Sequence, residues 1–199
     1  MKINVDAFET LETAQSQLIN DLQLKETLAD IGLNQAHGFN EMCRSLALLH
    51  PHKMSIATLG ALPTPARDLV LRFKAEGFQV QEIPCPFDVS SQALEAAVAA
   101  LKKDTLFILM YRQEPFTGFF YPEEVVRKLA HSRSIFTVTY WGPKSWEQVP
   151  KVQSPWEGHI LDPLWGQAQA PVLLLKGQRF QGESVLWGAS FRHADVTSM

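Results

Sequence analysis

The chain has 199 residues, of which 46% are hydrophobic and 20% are charged, and its formal net charge is −3. This length and composition predict one globular domain that buries a sizeable core. The negative net charge and the lack of a basic run in the sequence argue against a nucleic-acid-binding function.

The sequence also lacks the features of a membrane or secreted protein. Its hydrophobic runs are too short to cross a bilayer, and residues 1–15 are polar and acidic rather than apolar, so we expect neither membrane insertion nor a secretion signal. Cys43 and Cys85 stand in unrelated contexts, which predicts buried thiols rather than a disulfide. These features predict a cytoplasmic protein.

The N-terminal part differs from the rest of the chain. Residues 8–31 predict one or two polar helices, because leucines recur there at loose helical spacing. We therefore assign residues 1–32 to an N-terminal helical segment, residues 33–191 to an α/β domain and residues 192–199 to a frayed tail.

From residue 38 onward, predicted helices and strands alternate. A helix is expected over residues 38–49, because Phe39, Met42 and Leu46 recur at helical spacing and Pro51 stops the pattern. Further helices are predicted over residues 67–76, 90–101 and 122–133. Strands are predicted over residues 53–59, 79–83, 105–110, 135–140, 159–161 and 172–175. This order predicts a three-layer α/β sandwich with a mostly parallel central sheet.

Four segments carry a family resemblance: LNQAHGFNEMCRSLALLHPHKMSIA, ARDLVLRFKAEGFQVQEIP, ALEAAVAALKKDTLFILMYRQEPFTGFFYPEEVVRKLAHSRSIFTVTY and EGHILDPLWG. Their order and turn residues resemble the large domain of class V aminotransferases, and of the cysteine desulfurases in particular, over residues 33–187. These are enzymes of fold-type I that use pyridoxal phosphate (PLP). The resemblance implies their large-domain fold, and we expect the family's small C-terminal domain to be absent.

The residues that would carry the family's chemistry are replaced. The resemblance implies a lysine after a histidine, but His159 is followed by Ile160 and no lysine lies between Lys151 and Lys176. Without that amine, the cofactor cannot be held as a Schiff base. The aspartate that would pair with the pyridine nitrogen is replaced by Thr139, which cannot hold a pyridinium by charge.

Other cofactor contacts implied by the resemblance are also altered. The family's glutamine falls near Trp141 or Gly142, its stacking imidazole near Gly60 or Ala61, and its asparagine around Glu114. The phosphate-binding turn falls at residues 35–38, where His37 and Gly38 retain the capacity to contact an anion. We therefore expect no cofactor, and PLP is not expected to bind.

The expected ligand site consists of residues at the carboxyl ends of central strands and in the first turn: His37, Gly38, Glu114, Thr139, Tyr140, Trp141 and His159. Either the aromatic residues fill the cofactor space, or they form a new apolar pocket. His159 and Asp162 are interpreted as structural rather than catalytic, and no catalytic residue is assigned. His50 and His52 lack a third metal ligand, so no metal site is expected.

The function predicted from these observations is that of a pseudoenzyme that acts by binding or oligomerisation. The expected partner is a second copy of the chain or an intact homologue, and the tryptophans of the last third are a candidate contact surface. The alternative is an enzyme or small-molecule-binding protein with a remodelled site at the former cofactor pocket. A third interpretation is an unrelated α/β domain with an incompatible strand order.

Overall fold

The computed structural model describes residues 28–62, 64–86, 88–114, 117–142, 152–162 and 172–180. The strands are β1 (Leu28–Gly32), β2 (Ser55–Leu59), β3 (Gln79–Ile83), β4 (Thr105–Tyr111), β5 (Phe136–Trp141), β6 (Glu157–Leu161) and β7 (Val172–Lys176). The helices are α1 (Gln35–Leu49), α2 (Thr64–Ala75), α3 (Ser91–Ala99) and α4 (Glu123–Ser132), and a 3-10 turn covers Gln178–Phe180.

The strands form one sheet in the order β1-β7-β6-β5-β4-β2-β3. Strands β3, β2, β4, β5 and β6 are parallel to one another, whereas β7 runs antiparallel to both β6 and β1. The central strands β4 and β5 are buried along their whole length, as is typical of a sheet covered on both faces.

Helices cover the sheet on two sides. Helices α1 and α2 pack on one side, where Phe39 of α1 stacks on Tyr140 and Phe73 of α2 meets Phe107. Helices α3 and α4 pack together on the other, where His131 of α4 contacts Thr137. We call these two sides the α1 face and the α4 face. The predicted three-layer α/β sandwich with a mostly parallel sheet is confirmed.

Most predicted elements are present with small shifts at their ends. Strand β3 has the predicted bounds, and Ser90 caps α3 by accepting a hydrogen bond from the Ala93 amide. Gly77 follows α2 with φ of +94°, as expected for a residue that closes a helix. Helix α1 begins three residues earlier than predicted, because the Asn34 side chain caps it.

The N-terminal prediction is wrong where the structure describes it. Residues 28–32 form strand β1 instead of the end of a helix, because pairing with β7 satisfies their backbone groups and outweighs local preference. The sheet therefore includes residues on the N-terminal side of the boundary predicted at residue 33. The rest of the predicted helical segment and the tail at 192–199 lie outside the described residues.

None of the helices in the described ranges combines the length and the hydrophobicity that crossing a bilayer requires.

Candidate functional site

The carboxyl ends of the parallel strands and the start of α1 meet at one edge of the sheet, which we call the carboxyl edge. Ligands of open α/β sheets bind at such an edge. Here β4 ends at Tyr111, β5 at Trp141 and β6 shortly before Asp162, and Gln35 begins α1.

A hydrogen-bonded group occupies the α1 face of this edge. The Tyr140 hydroxyl donates to Oδ2 of Asp162 at 2.7 Å, and Nε2 of Gln35 donates to the same oxygen at 2.7 Å while also contacting the Tyr140 hydroxyl. Tyr140 and Asp162 are buried. Burial, and then the Asp162 carboxyl, raise the pKa of Tyr140, so its hydroxyl keeps its proton. The three side chains form a closed polar network.

Aromatic rings pack against this network. The ring of Tyr111 lies 4.5 Å from that of Tyr140, and Phe39 stacks 5.5 Å from Tyr140 and 6.1 Å from Tyr111, measured between centroids. Tyr111 is buried, and its hydroxyl has no hydrogen-bond partner among the described residues. Side-chain mass therefore fills the α1 face of the carboxyl edge.

The α4 face of the same edge holds a different group. Nε1 of Trp141 donates to Nδ1 of His159 at 3.1 Å, and the guanidinium of Arg112 lies 4.0 Å from the centroid of a Trp141 ring. Because Nδ1 accepts this bond, a neutral His159 carries its proton on Nε2. That nitrogen lies 3.9 Å from Oε1 of Glu157 and has no hydrogen-bond partner in the described part of the chain.

Thr139 belongs to this second group. It pairs with His159 in the register of β5 and β6, and its hydroxyl is buried without a hydrogen-bond partner among the described residues. Successive residues of a strand point to opposite faces. The structure therefore brings Thr139, Trp141 and His159 together on the α4 face and separates them from Tyr140.

Glu157 supplies buried negative charge beside His159. Its Oε2 accepts from Nη1 of Arg127 at 3.0 Å. Burial acts to raise the pKa of Glu157, but His159, the Gln153 amide and Arg127 outweigh it and hold the pKa below its ordinary value. Glu157 is thus an ionised carboxylate in the core, partnered by a cation from α4.

At the carboxyl end of β2, Gly60 lies under the ring of Tyr121. A Cβ atom added to Gly60 would lie 2.6 Å from this ring, and φ of Gly60 is +61°. The Ala61 amide donates to the Tyr121 hydroxyl at 3.2 Å. Tyr121 therefore covers the position at which the family resemblance implies a stacking imidazole.

Glu114 and His37 contact residues that are close to them in the chain. Oε2 of Glu114 accepts from the amide and the hydroxyl of Thr117, within the loop after β4. The His37 amide donates to Oδ1 of Asn34 at 2.9 Å. These contacts place Glu114 and His37 in a turn and a helix cap.

Gly38 lies on the buried side of α1. Its amide donates to the Asn34 carbonyl at 2.9 Å, and a Cβ atom at this position would lie 2.7 Å from Val172. The glycine allows α1 to approach β7 closely.

The described lysines all lie away from the carboxyl edge. Lys53 precedes β2, Lys74 is in the last turn of α2, Lys102 and Lys103 precede β4, Lys128 pairs with Glu124 on the exposed side of α4, and Lys176 ends the antiparallel β7. Lys2, Lys25, Lys144 and Lys151 are outside the described residues. Among the described residues, the carboxyl edge therefore has the Tyr121 ring over Gly60, Thr139 at the end of β5 and no lysine.

Sequence reasoning missed the contributions of Gln35, Tyr111 and Tyr121, and it considered Asp162 only as a partner of His159. Tyr111 and Asp162 stand at the ends of buried strands, which was the available signal. The contact between Gln35 and Asp162 spans 127 positions, and no local pattern indicates it.

The strand order, with an antiparallel β7 between β1 and β6, is that of the fold-type I PLP-transferase large domain, so the interpretation with an incompatible strand order is wrong. No family model and no curated protein sequence matches the chain. The chain does resemble solved structures of the cysteine desulfurase group and of a lyase.

Three such structures show the extent of the likeness. SspA, solved in complex with cysteine, is 16% identical with a TM-score of 0.66, over 89% of this chain and 52% of that one. The cysteine desulfurase of Thermococcus onnurineus is 13% identical with a TM-score of 0.63, over 90% and 46%. The sphingosine-1-phosphate lyase of Burkholderia pseudomallei is 11% identical with a TM-score of 0.66, over 88% and 47%. The chain spans about half the length of these proteins, and at such identities the likeness concerns the fold.

Proposed function

We propose that this protein is a non-catalytic relative of the PLP-dependent cysteine desulfurases, which acts by binding or oligomerisation and does not use PLP. The observation that carries this proposal is the filled carboxyl edge. Tyr140, Asp162 and Gln35 bond to one another there, and Tyr121 covers Gly60.

Energetics support the proposal. A ring that enters the space above Gly60 must displace Tyr121, and exposing a buried aromatic side chain costs about 1.5–3 kcal/mol. Displacing Tyr140 would in addition break its bond to the Asp162 carboxyl. Where a family enzyme holds its cofactor by an amine, this edge offers none among the described residues.

A direct test is to add PLP to the purified protein and record its visible spectrum and its melting temperature. The proposal predicts no absorption band of a protein-bound Schiff base and no rise in melting temperature. A saturable band together with a rise in melting temperature would overturn it. The thermal measurement also detects PLP bound without a covalent bond.

The second candidate is an enzyme or small-molecule-binding protein with a remodelled site. The half-buried Arg112 favours this candidate. Its guanidinium stacks on Trp141 at the carboxyl edge and lies 5.6 Å from the centroid of the Phe120 ring. A ligand of this site would quench or enhance tryptophan fluorescence, and Trp141→Phe would remove that signal.

The proposed partners are a second copy of the chain or an intact homologue. Trp141 is buried within the chain and Trp156 is half-buried, so Trp141 is not part of a contact surface. The other three tryptophans lie outside the described residues. Sedimentation of the chain alone, and mixed with a purified cysteine desulfurase of the same cell, tests both pairings. A monomer in both experiments would refute them.

A further inference from the structure

Basic side chains from two chain segments, residues 50–53 and Arg179, lie at the amino edge of the sheet, opposite the site described above. His50 caps the C-terminus of α1, and its ring centroid lies 6.1 Å from that of His52. Neither ring makes a hydrogen bond or an ion pair with the described residues. Within the described part of the chain, their nitrogens are therefore available to a ligand.

Lys53 is fixed beside them. Its Nζ donates to the Ser134 carbonyl at 3.0 Å and to the Thr105 carbonyl at 3.4 Å. These carbonyls stand at the start of β5 and β4, so the ammonium is held at the amino edge. An ammonium has three N–H donors. One of them remains for a further acceptor.

Arg179 approaches from the 3-10 turn after β7. Its guanidinium lies 4.5 Å from the centroid of a Trp156 ring. Trp156 packs 4.8 Å from Phe136, and Phe136 lies 5.3 Å from His50. Arg179 and His50 therefore contact the same cluster of aromatic rings, formed by Trp156 and Phe136. Arg179 is exposed and forms no ion pair with the described residues.

The four groups repel one another when charged. Burial lowers the pKa of His50, and Lys53, His52 and Arg179 lower it further. Burial lowers the pKa of Lys53, and the negative charge of Asp104 partly offsets this effect. The C-terminal dipole of α1 favours cations near His50, but it does not account for Arg179, which comes from a different segment. A bound anion would relieve the repulsion.

We propose that His50, His52, Lys53 and Arg179 form a binding site for an oxyanion of the phosphate class. A guanidinium and an ammonium are the usual protein partners of phosphate oxygens, and a protonated imidazole adds a third charge-assisted bond. The source is either free phosphate or the phosphoryl group of a larger ligand. This inference is independent of the function proposed for the carboxyl edge.

The test is a titration with inorganic phosphate at constant ionic strength, followed by the ring proton signals of the histidines in NMR spectra. We expect saturable shifts of the His50 and His52 signals, an increase in the pKa of His50, and no shift of His131. Sodium chloride at the same ionic strength should give none of these changes. Equal shifts in chloride would overturn the proposal.

Matched variants locate the site. Arg179→Gln removes one charge-assisted partner and should weaken phosphate binding about tenfold. Arg67→Gln removes the same charge from an exposed position on α2 and should leave binding unchanged. Equal losses in both variants would show a general charge effect and overturn the site. A parallel titration with O-phosphoserine identifies the source: tighter binding of the ester indicates a larger ligand, and equal binding indicates free phosphate.

Discussion

Two tyrosines at the carboxyl edge provide a sharp test of the polar network. Tyr111 and Tyr140 are both 2% exposed and their rings lie 4.5 Å apart, yet only the Tyr140 hydroxyl has partners. It donates to Asp162 at 2.7 Å and contacts Gln35, whereas the Tyr111 hydroxyl has no partner among the described residues. Replacing each tyrosine by phenylalanine removes one oxygen from nearly the same place.

The two substitutions should change stability in opposite directions. Tyr140→Phe removes a hydrogen bond to a carboxyl group, which is worth about 1.5–3 kcal/mol. Tyr111→Phe removes a buried hydroxyl that gains nothing in the folded state, and relief of its desolvation cost should stabilise the protein by about 1 kcal/mol. The two variants should therefore differ by about 2.5–4 kcal/mol in the free energy of unfolding.

Urea unfolding followed by circular dichroism measures this difference, provided that the slope m is the same for both variants. Equal losses of stability would mean that the hydroxyl of Tyr140 contributes no more than that of Tyr111. The closed network of Gln35, Tyr140 and Asp162 would then be refuted, and with it the reason for regarding this edge as filled.

Two further predictions concern the α4 face and the end of β2. Burial lowers the pKa of His131 to about 4. In the unfolded chain a histidine has a pKa of about 6.5, so between about pH 6.5 and 4 only the unfolded state binds the proton. The free energy of unfolding should therefore fall by roughly 0.5–1 kcal/mol per pH unit as the pH drops through this range. In His131→Gln the urea midpoint should lose that part of its pH dependence, and an unchanged profile would contradict the assignment. Gly60→Ala should cost about 2 kcal/mol or more, because it adds contact with Tyr121 to the strain of a positive φ. Gly77 also has a positive φ of +94°, but a Cβ atom added there would lie 4.0 Å from its nearest neighbour. Gly77→Ala should therefore cost only about 1 kcal/mol in the same urea assay. Equal losses of stability in the two variants would mean that Tyr121 moves freely.

The parts of the fold that local sequence determines were predictable. Strand β4 is a continuous apolar run, and α4 places Glu123 and Glu124 in its first turn, where they favour the helix dipole. Strand β1 was not predictable, because its residues have no alternating pattern and become a strand only by pairing with β7, 140 or more positions away.

The candidate site was predictable in position but not in composition. The ends of buried strands indicated Tyr140 and Trp141, and the alternation of side chains along a strand would have placed these two neighbours on opposite faces. The partners of each face come from distant segments: Gln35 reaches Tyr140 from α1, and Arg127 reaches Glu157 from α4. Such contacts depend on helix packing, which a single sequence does not specify.

The central claim is that this scaffold no longer holds a cofactor by an amine. It is tested most directly by incubating the protein with PLP, reducing with borohydride and locating the modified lysines by mass spectrometry. The account predicts only slight labelling, spread over exposed lysines such as Lys74 and Lys103 and reduced by competing free lysine. Stoichiometric labelling of one lysine, with protection of the others, would contradict the account.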